Sequence, residues 1–160
     1  MCLQETHLKE SQSNVLRRFH LFRKDRVNAS HSSGGVAIIV QRSSACIEVP
    51  LSTALEAVAV RMLSDRLITL CSLYIPPNLH LRYEDLESLV AELPHPFIIL
   101  GDFNAHNPLW GSARRDTRGA IVERFITSRS LCLFNAKEPT FFSAPTNSFT
   151  SIDLSLCDLP

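Results

Sequence analysis

The sequence predicts an α/β fold: two β-sheets packed face to face, with helices on the outside. Three observations carry that prediction. Short β-branched apolar runs recur along the chain, as in GGVAIIVQ (34–41) and LITLCSLYIP (67–76), and such runs suit a pleated, half-buried surface. Two pairs of runs are joined by short polar links, which reads as hairpins and so as antiparallel pairing. Two other segments place apolar residues at helical spacing and need a sheet face to cover. A single doubly wound sheet is the lesser alternative, because early hairpins do not fit a purely parallel order.

The elements follow in order. GGVAIIVQ opens on two glycines and reads as a buried strand. ACIEVP (45–50) alternates, stops at Pro50, and is expected to form a hairpin with 34–41 across the polar RSS. EAVAVRM (56–62) and 67–76 flank LSDR as a second hairpin, the latter run halted by Pro76-Pro77 because proline cannot donate to a ladder. YEDLESLVAEL (83–93) carries Leu86, Leu89, Val90 and Leu93 on one face, an amphipathic helix closed by Pro94. PFIIL (96–100) is a continuous apolar strand, expected to be covered on both faces. RGAIVERFITSRSL (118–131) puts Ile121, Val122, Phe125 and Ile126 together as a second helix, and SFTSIDLSLCD (148–158) alternates as a last strand.

Composition narrows the class. With 160 residues, 45% hydrophobic and 20% charged, the chain reads as one globular domain that buries roughly 70% of its unfolded surface. Sixteen basic residues balance sixteen acidic ones, so no global field marks a nucleic-acid partner and any such contact comes from local clusters. Two exist: Arg17, Arg18, Arg23, Lys24 and Arg26, then Arg114, Arg115 and Arg118. They read equally as solvated faces or as DNA contacts, since Asp25 and Asp116 sit among them. Five scattered cysteines without C-x-x-C spacing argue against a disulfide framework or zinc site and for a reducing compartment. The N-terminus MCLQETHLKE lacks an apolar h-region, and no stretch approaches a membrane span. The expectation is a soluble intracellular protein, not secreted, with no membrane partner.

Chemistry gathers at strand exits. In PFIILGDFNAHNPLWG (96–111) an apolar run drives into Gly101 and then into Asp102 and Asn104. Residues two apart on a strand share a face, so these two point one way while Phe103 points into the core. A carboxylate can bind a metal or take a proton from water, and an amide can donate to a phosphoryl oxygen. Taken alone, D-x-N more often simply opens an Asx-type turn. Glu5 follows the apolar MCL, and Asp153 sits among apolar neighbours in SIDLSL, a costly place for an unpaired carboxylate. Their plainer readings are a solvated acid and a salt-bridged one. Tyr74, near the end of its strand, is either core or a phenol aimed at the same mouth. Trp110 reads as a plug of its loop rather than a wedge between bases, and His7 and His20 read as solvated.

At these residues a resemblance appears. LQETHL, SGGVAIIV, SLYIPP, ILGDFNAHNPLWGS and SIDLSL are similar to the successive motifs of the endonuclease/exonuclease/phosphatase superfamily. Within it the order GDFNAH, LWGS, RG, PTF and S-x-IDL resembles the endonuclease domain of jockey-type non-LTR retrotransposons. The resemblance covers essentially the whole chain. It implies a deoxyribonuclease-I-like four-layer sandwich and Mg²⁺-dependent hydrolysis of a DNA phosphodiester, with Mn²⁺ as a substitute. It implies Glu5 as a metal ligand and Asp102 as the aspartate that orients or deprotonates water. Asn104 then binds phosphate, Tyr74 is the active-site tyrosine, and Asp153 lies near metal and substrate. Glu5, Asp102 and Asp153 form the expected metal set. DNA is the implied partner, the nucleus the implied location, and a reverse transcriptase domain the implied neighbour in the parent polyprotein.

The family pattern also has an asparagine in an upstream W-N-x-x-G strand and a catalytic histidine in a downstream S-D-H motif. Residues 1–160 contain neither. His106 therefore reads as a loop residue near the site, structural or DNA-contacting. The 160 residues alone are expected to be an incomplete sandwich and a poor nuclease. A non-catalytic remnant and a phosphatase of the same superfamily are the alternative functions.

Overall fold

Period-two burial decides where each strand lies. The computed structural model describes residues 1–9, 16–26, 33–144 and 147–158. Strands β1 (Cys2–Gln4), β2 (Phe19–Lys24) and β3 (Val36–Gln41) form one antiparallel sheet in the order β1-β3-β2. The chain then lays down β4 (Cys46–Val49), β5 (Glu56–Leu63) and β6 (Leu67–Tyr74), crosses through α1 (Tyr83–Ala91), and enters β7 (Phe97–Asp102). After a 3₁₀ turn at Pro108–Trp110 come α2 (Thr117–Ser128), β8 (Cys132–Leu133), β9 (Phe141–Ser143), β10 (Ser148–Thr150) and β11 (Asp153–Cys157). The second sheet runs β4-β5-β6-β7-β11-β8, while β9 and β10 form a separate hairpin. Strands β6 and β7 pair parallel, with α1 as their crossover, and the sheet's other pairs are antiparallel.

Val36, Ile38 and Val40 of the small sheet meet Val58, Val60 and Tyr74 of the large one to make the inter-sheet core. The opposite face of the large sheet packs Leu73, Phe97, Ile99, Leu154 and Leu156 against Leu86, Leu89 and Val90 of α1 and Val122, Phe125 and Ile126 of α2. Each such side chain, fully buried, stabilises by about 1.5–3 kcal/mol. Asp85 accepts a hydrogen bond from Arg82 N at 2.9 Å to start α1, and Asp116 accepts one from Gly119 N at 2.6 Å to start α2; both satisfy first-turn donors. Both helices lie on one side of the sandwich. Among the described residues the layers are thus sheet, sheet and helices, without a fourth layer on the small sheet.

Three expectations change. The 45–50 strand does not form a hairpin with 34–41: β4 pairs with β5, because both edges of β3 are already taken by β1 and β2. The expected last strand is two strands. Ser151 and Ile152 are buried between them, Ser112 Oγ donates to Ser151 O at 3.0 Å, and Thr140 Oγ1 accepts from both Ile152 N and Asp153 N at 3.2 Å. Strand β7 buries only alternate residues, Phe97, Ile99 and Gly101, so it is not evenly covered on both faces. Strand β2 escaped the sequence reading because FHLFRK looks like part of a basic run.

Candidate active site at the strand exits

Register gathers the predicted residues. Asp102 is the Cα partner of Tyr74 on β6 and of Asp153 on β11. Directly paired residues present their side chains on one face, so Tyr74, Asp102 and Asp153 form a row across three neighbouring strands. Tyr74 belongs to the core between the sheets, which places the row on the side facing the small sheet. Glycine at 101 allows this closeness: a Cβ there would lie 2.0 Å from Leu73 O.

Glu5 arrives from the facing sheet. Gln4 Nε2 donates to Ser72 Oγ at 2.9 Å, and Ser72 Oγ donates to Leu3 O at 3.2 Å, bonds that cross the sandwich. Beyond β1 the chain turns at Glu5 and His7, both with positive φ (49° and 51°), and is held by Thr6 N and His7 N donating to Gly35 O and Gly34 O. Glu5 then accepts a hydrogen bond from the Tyr74 hydroxyl through Oε1. Burial, and next the bond and charge of Glu5, push the Tyr74 phenol up, so it stays protonated and donates. Arg26 stands 5.9 Å from the Tyr74 ring centroid and pairs with Glu56 at 2.5 Å.

Asp102 is half-buried. Burial pushes its carboxyl up to about 6; Asp153 and Glu5 push the same way, while the Asn104 amide pulls back. Asn104 does not continue the strand, as its φ is 46°. Its N–H donates to Asp102 Oδ1 at 2.8 Å, and its Nδ2 donates to Asp102 Oδ2 at 3.1 Å and Ile75 O at 3.2 Å. The Asx turn and the paired acid and amide are therefore one structure, not rival readings. Phe103 is fully buried, as expected.

The neighbouring residues sort differently. Trp110 is fully buried and donates to Ala105 O at 3.0 Å, which makes it a plug. His106 bonds Thr150 Oγ1 through Nδ1 at 3.0 Å, on the cleft that Arg114, Phe141 and Phe149 also line. His7 is exposed, whereas His20 is half-buried beside Phe22, not simply solvated. Much of the basic clusters is engaged internally. Arg23 pairs with Asp25, Lys24 donates to Thr53 O and Leu55 O at 2.7 Å, and Arg115 pairs with Glu123. Arg118 donates to five backbone carbonyls. Arg17, Arg18 and Arg114 remain exposed.

A hard divalent cation suits the donor chemistry of this mouth. Glu5, Asp102 and Asp153 are oxygen donors, and the charges of Glu5 and Asp153 add to the cost of ionising Asp102; Mg²⁺ is commonly held by one or two carboxylates plus water and substrate oxygens. Among the described residues no three His, Cys, Asp or Glu side chains come together as a group that could hold a metal ion. A Mg²⁺ at this mouth would therefore rest on one or two of these carboxylates, with water and substrate oxygens completing its shell. No helix among the described residues is long and apolar enough to cross a membrane.

Comparison with known proteins gives a consistent result. Residues 68–159 match the sequence profile of a family described as endonuclease-reverse transcriptase. The RNA-directed DNA polymerase from mobile element jockey of Drosophila funebris is 30% identical over 149 residues, covering 89% of this chain and 16% of that protein. The jockey protein of Drosophila melanogaster is 28% identical over 145 residues, with 89% and 16% covered. A probable RNA-directed DNA polymerase from transposon X-element of Drosophila melanogaster is 26% identical, with 88% and 16% covered. The chain thus spans 16% of the length of these relatives. Among solved structures, the endonuclease domain of TRAS1, a telomere-specific non-LTR retrotransposon, aligns with a TM-score of 0.74 at 23% identity. That alignment covers 89% of this chain and 68% of that one, and shows a shared fold.

Proposed function

Since this chain belongs to the endonuclease-reverse transcriptase family, we propose that it is a Mg²⁺-dependent DNA endonuclease domain of a retrotransposon protein, nicking target DNA by hydrolysis. The observation that carries the reading is the row Tyr74–Asp102–Asp153, facing Glu5 across the sandwich. The parent protein, by analogy with relatives named as RNA-directed DNA polymerases, carries a reverse transcriptase domain; DNA as its substrate and the nucleus as its location belong to the same proposal.

The residues divide the work. With its carboxyl pushed up to about 6, Asp102 is ionised at neutral pH yet basic enough to take a proton from water at a carboxylate oxygen. Asn104 Nδ2, now on Ile75 O and Asp102, donates to a phosphoryl oxygen when substrate enters. Tyr74 keeps Glu5 in place by its hydroxyl, and Glu5 and Asp153 are the residues whose oxygens would hold Mg²⁺. A bound cation there would supply Lewis-acid stabilisation of negative charge on a phosphoryl oxygen.

The test is nicking of supercoiled plasmid by the full-length protein carrying this chain. Relaxation in Mg²⁺ that stops in chelator is expected. Equal nicking with and without chelator refutes metal dependence, and hydrolysis of soluble phosphate monoesters without nicking points to the phosphatase alternative.

A further inference from the structure

Arg118 is placed unlike the other arginines of its cluster. It occupies the first turn of α2, whose start is fixed by Asp116 accepting from Gly119 N, and Gly119 lies so close to the preceding loop that a Cβ would meet His106 O at 1.9 Å. From this anchored base its guanidinium reaches two separate strand exits. Nη1 donates to Asn104 O at 3.1 Å and Phe103 O at 3.5 Å, just past β7. Nη2 donates to Pro76 O and Pro77 O at 3.0 Å and to Leu79 O at 2.7 Å, just past β6. Every one of these acceptors is a backbone carbonyl, and burial lowers the guanidinium's pKa. A rigid planar fork of five donors can span two loops in this way; a compact ammonium cannot.

The consequence falls on Asn104. Its positive φ of 46° lies in the left-handed region, which asparagine enters more readily than other non-glycine residues, and here contacts on every side hold it there. The N–H side of Asn104 is held by Asp102, its side chain by Ile75 O, and its carbonyl by Arg118. The loop carrying Ile75 onward is held by the same guanidinium.

We propose that Arg118 is a positioning residue for hydrolysis: by bridging the carbonyls after β6 and β7 it fixes the Asn104 amide and the Asp102 carboxylate relative to Tyr74. It does so without touching substrate. This rests on the nuclease reading above.

The experiment measures Mg²⁺-dependent plasmid nicking by the full-length protein and its Arg118→Lys variant at equal folded concentration. A displacement near 1 Å of a reacting group costs on the order of 10²-fold, so kcat is expected to fall by that order. KM is expected to change by about threefold or less, since no substrate contact is removed. Arg118→Ala should regain part of its kcat when guanidinium ion is added below denaturing concentrations. Wild-type kcat in Arg118→Lys overturns the proposal, even if its Tm falls. A raised KM with kcat unchanged makes Arg118 a phosphate contact and likewise overturns it. If Arg118→Lys folds poorly, Arg118→Ala decides: rescue by guanidinium supports the proposal, and no rescue overturns it. A wild-type protein that fails to nick in Mg²⁺ overturns the nuclease reading and this one with it. A nicking wild type with an unaffected variant overturns this one alone.

Discussion

Asp102 is a carboxylate that the fold accommodates at a cost, and that cost is measurable. Its carboxyl stands at about 6 in the folded chain because of burial, Asp153 and Glu5, against about 4 when unfolded. A rise of that size has a ceiling of ~3 kcal/mol, and solvent screening of a half-exposed group reduces it to about 1–2 kcal/mol. The folded pKa is raised, so the favourable contribution is fully present below the unfolded value. It is lost as pH climbs through about 6. Near pH 7.5 the ionised Asp102 therefore destabilises the protein. Asp102→Asn removes the ionisation, though it also rearranges the bonds to Asn104, a change independent of pH. The decisive quantity is the difference in Tm between variant and wild type, followed in chelator from about pH 4 to 7.5. That difference should move in favour of the variant by roughly 2–8 °C over this span, from about 2–4 °C per kcal/mol at this chain length. A flat difference, or one moving the other way, refutes the picture of a strained carboxylate cluster.

Other perturbations separate the packing and binding claims. Trp110→Ala empties a fully buried site and breaks the bond to Ala105 O, so urea unfolding should show a loss of about 3–5 kcal/mol; unchanged stability with lost DNA binding would make it a wedge after all. Tyr74→Phe removes the donor to Glu5. Hydrogen bonds to charged groups contribute about 1.5–3 kcal/mol, so the nicking rate should fall about 10- to 10²-fold; an unchanged rate removes Tyr74 from the site. Arg114 is exposed on the cleft beside His106, whereas Arg115 is paired with Glu123. Arg114→Ala should weaken DNA binding at all sequences and lower the salt slope by about 1, as seen by fluorescence anisotropy, and should do so more than Arg115→Ala.

What the sequence made legible follows its local physics. The β5–β6 hairpin and both helices obey short-range rules: alternation, helical spacing and a proline stop. Asp102, Asn104, Tyr74, Glu5 and Asp153 were visible as polar residues at the ends of apolar runs. What brings them together was not visible, because register is a long-range property. Nothing local says that Asp153 pairs opposite Asp102, or that β4 deserts β3 for β5. Arg118 was hidden for the same reason: a guanidinium among basic residues reads as a solvated face or a DNA contact until the five carbonyls around it are known. The 148–158 run read as one strand because Ser151 and Ile152 keep its alternation, although their side-chain and backbone bonds split it.

The Asp102–Asn104 turn is where structure and chemistry are claimed to coincide, and Asn104→Ala tests that claim most directly. The measurement is the single-turnover rate of plasmid nicking in saturating Mg²⁺, per folded molecule, for the full-length protein and this variant, with Tm recorded alongside. Loss of a phosphate-binding donor predicts a rate lower by on the order of 10²-fold with a modest change in Tm. A variant that melts far below wild type, yet nicks at the wild-type rate per folded molecule, would show that Asn104 only builds a turn and would contradict the account.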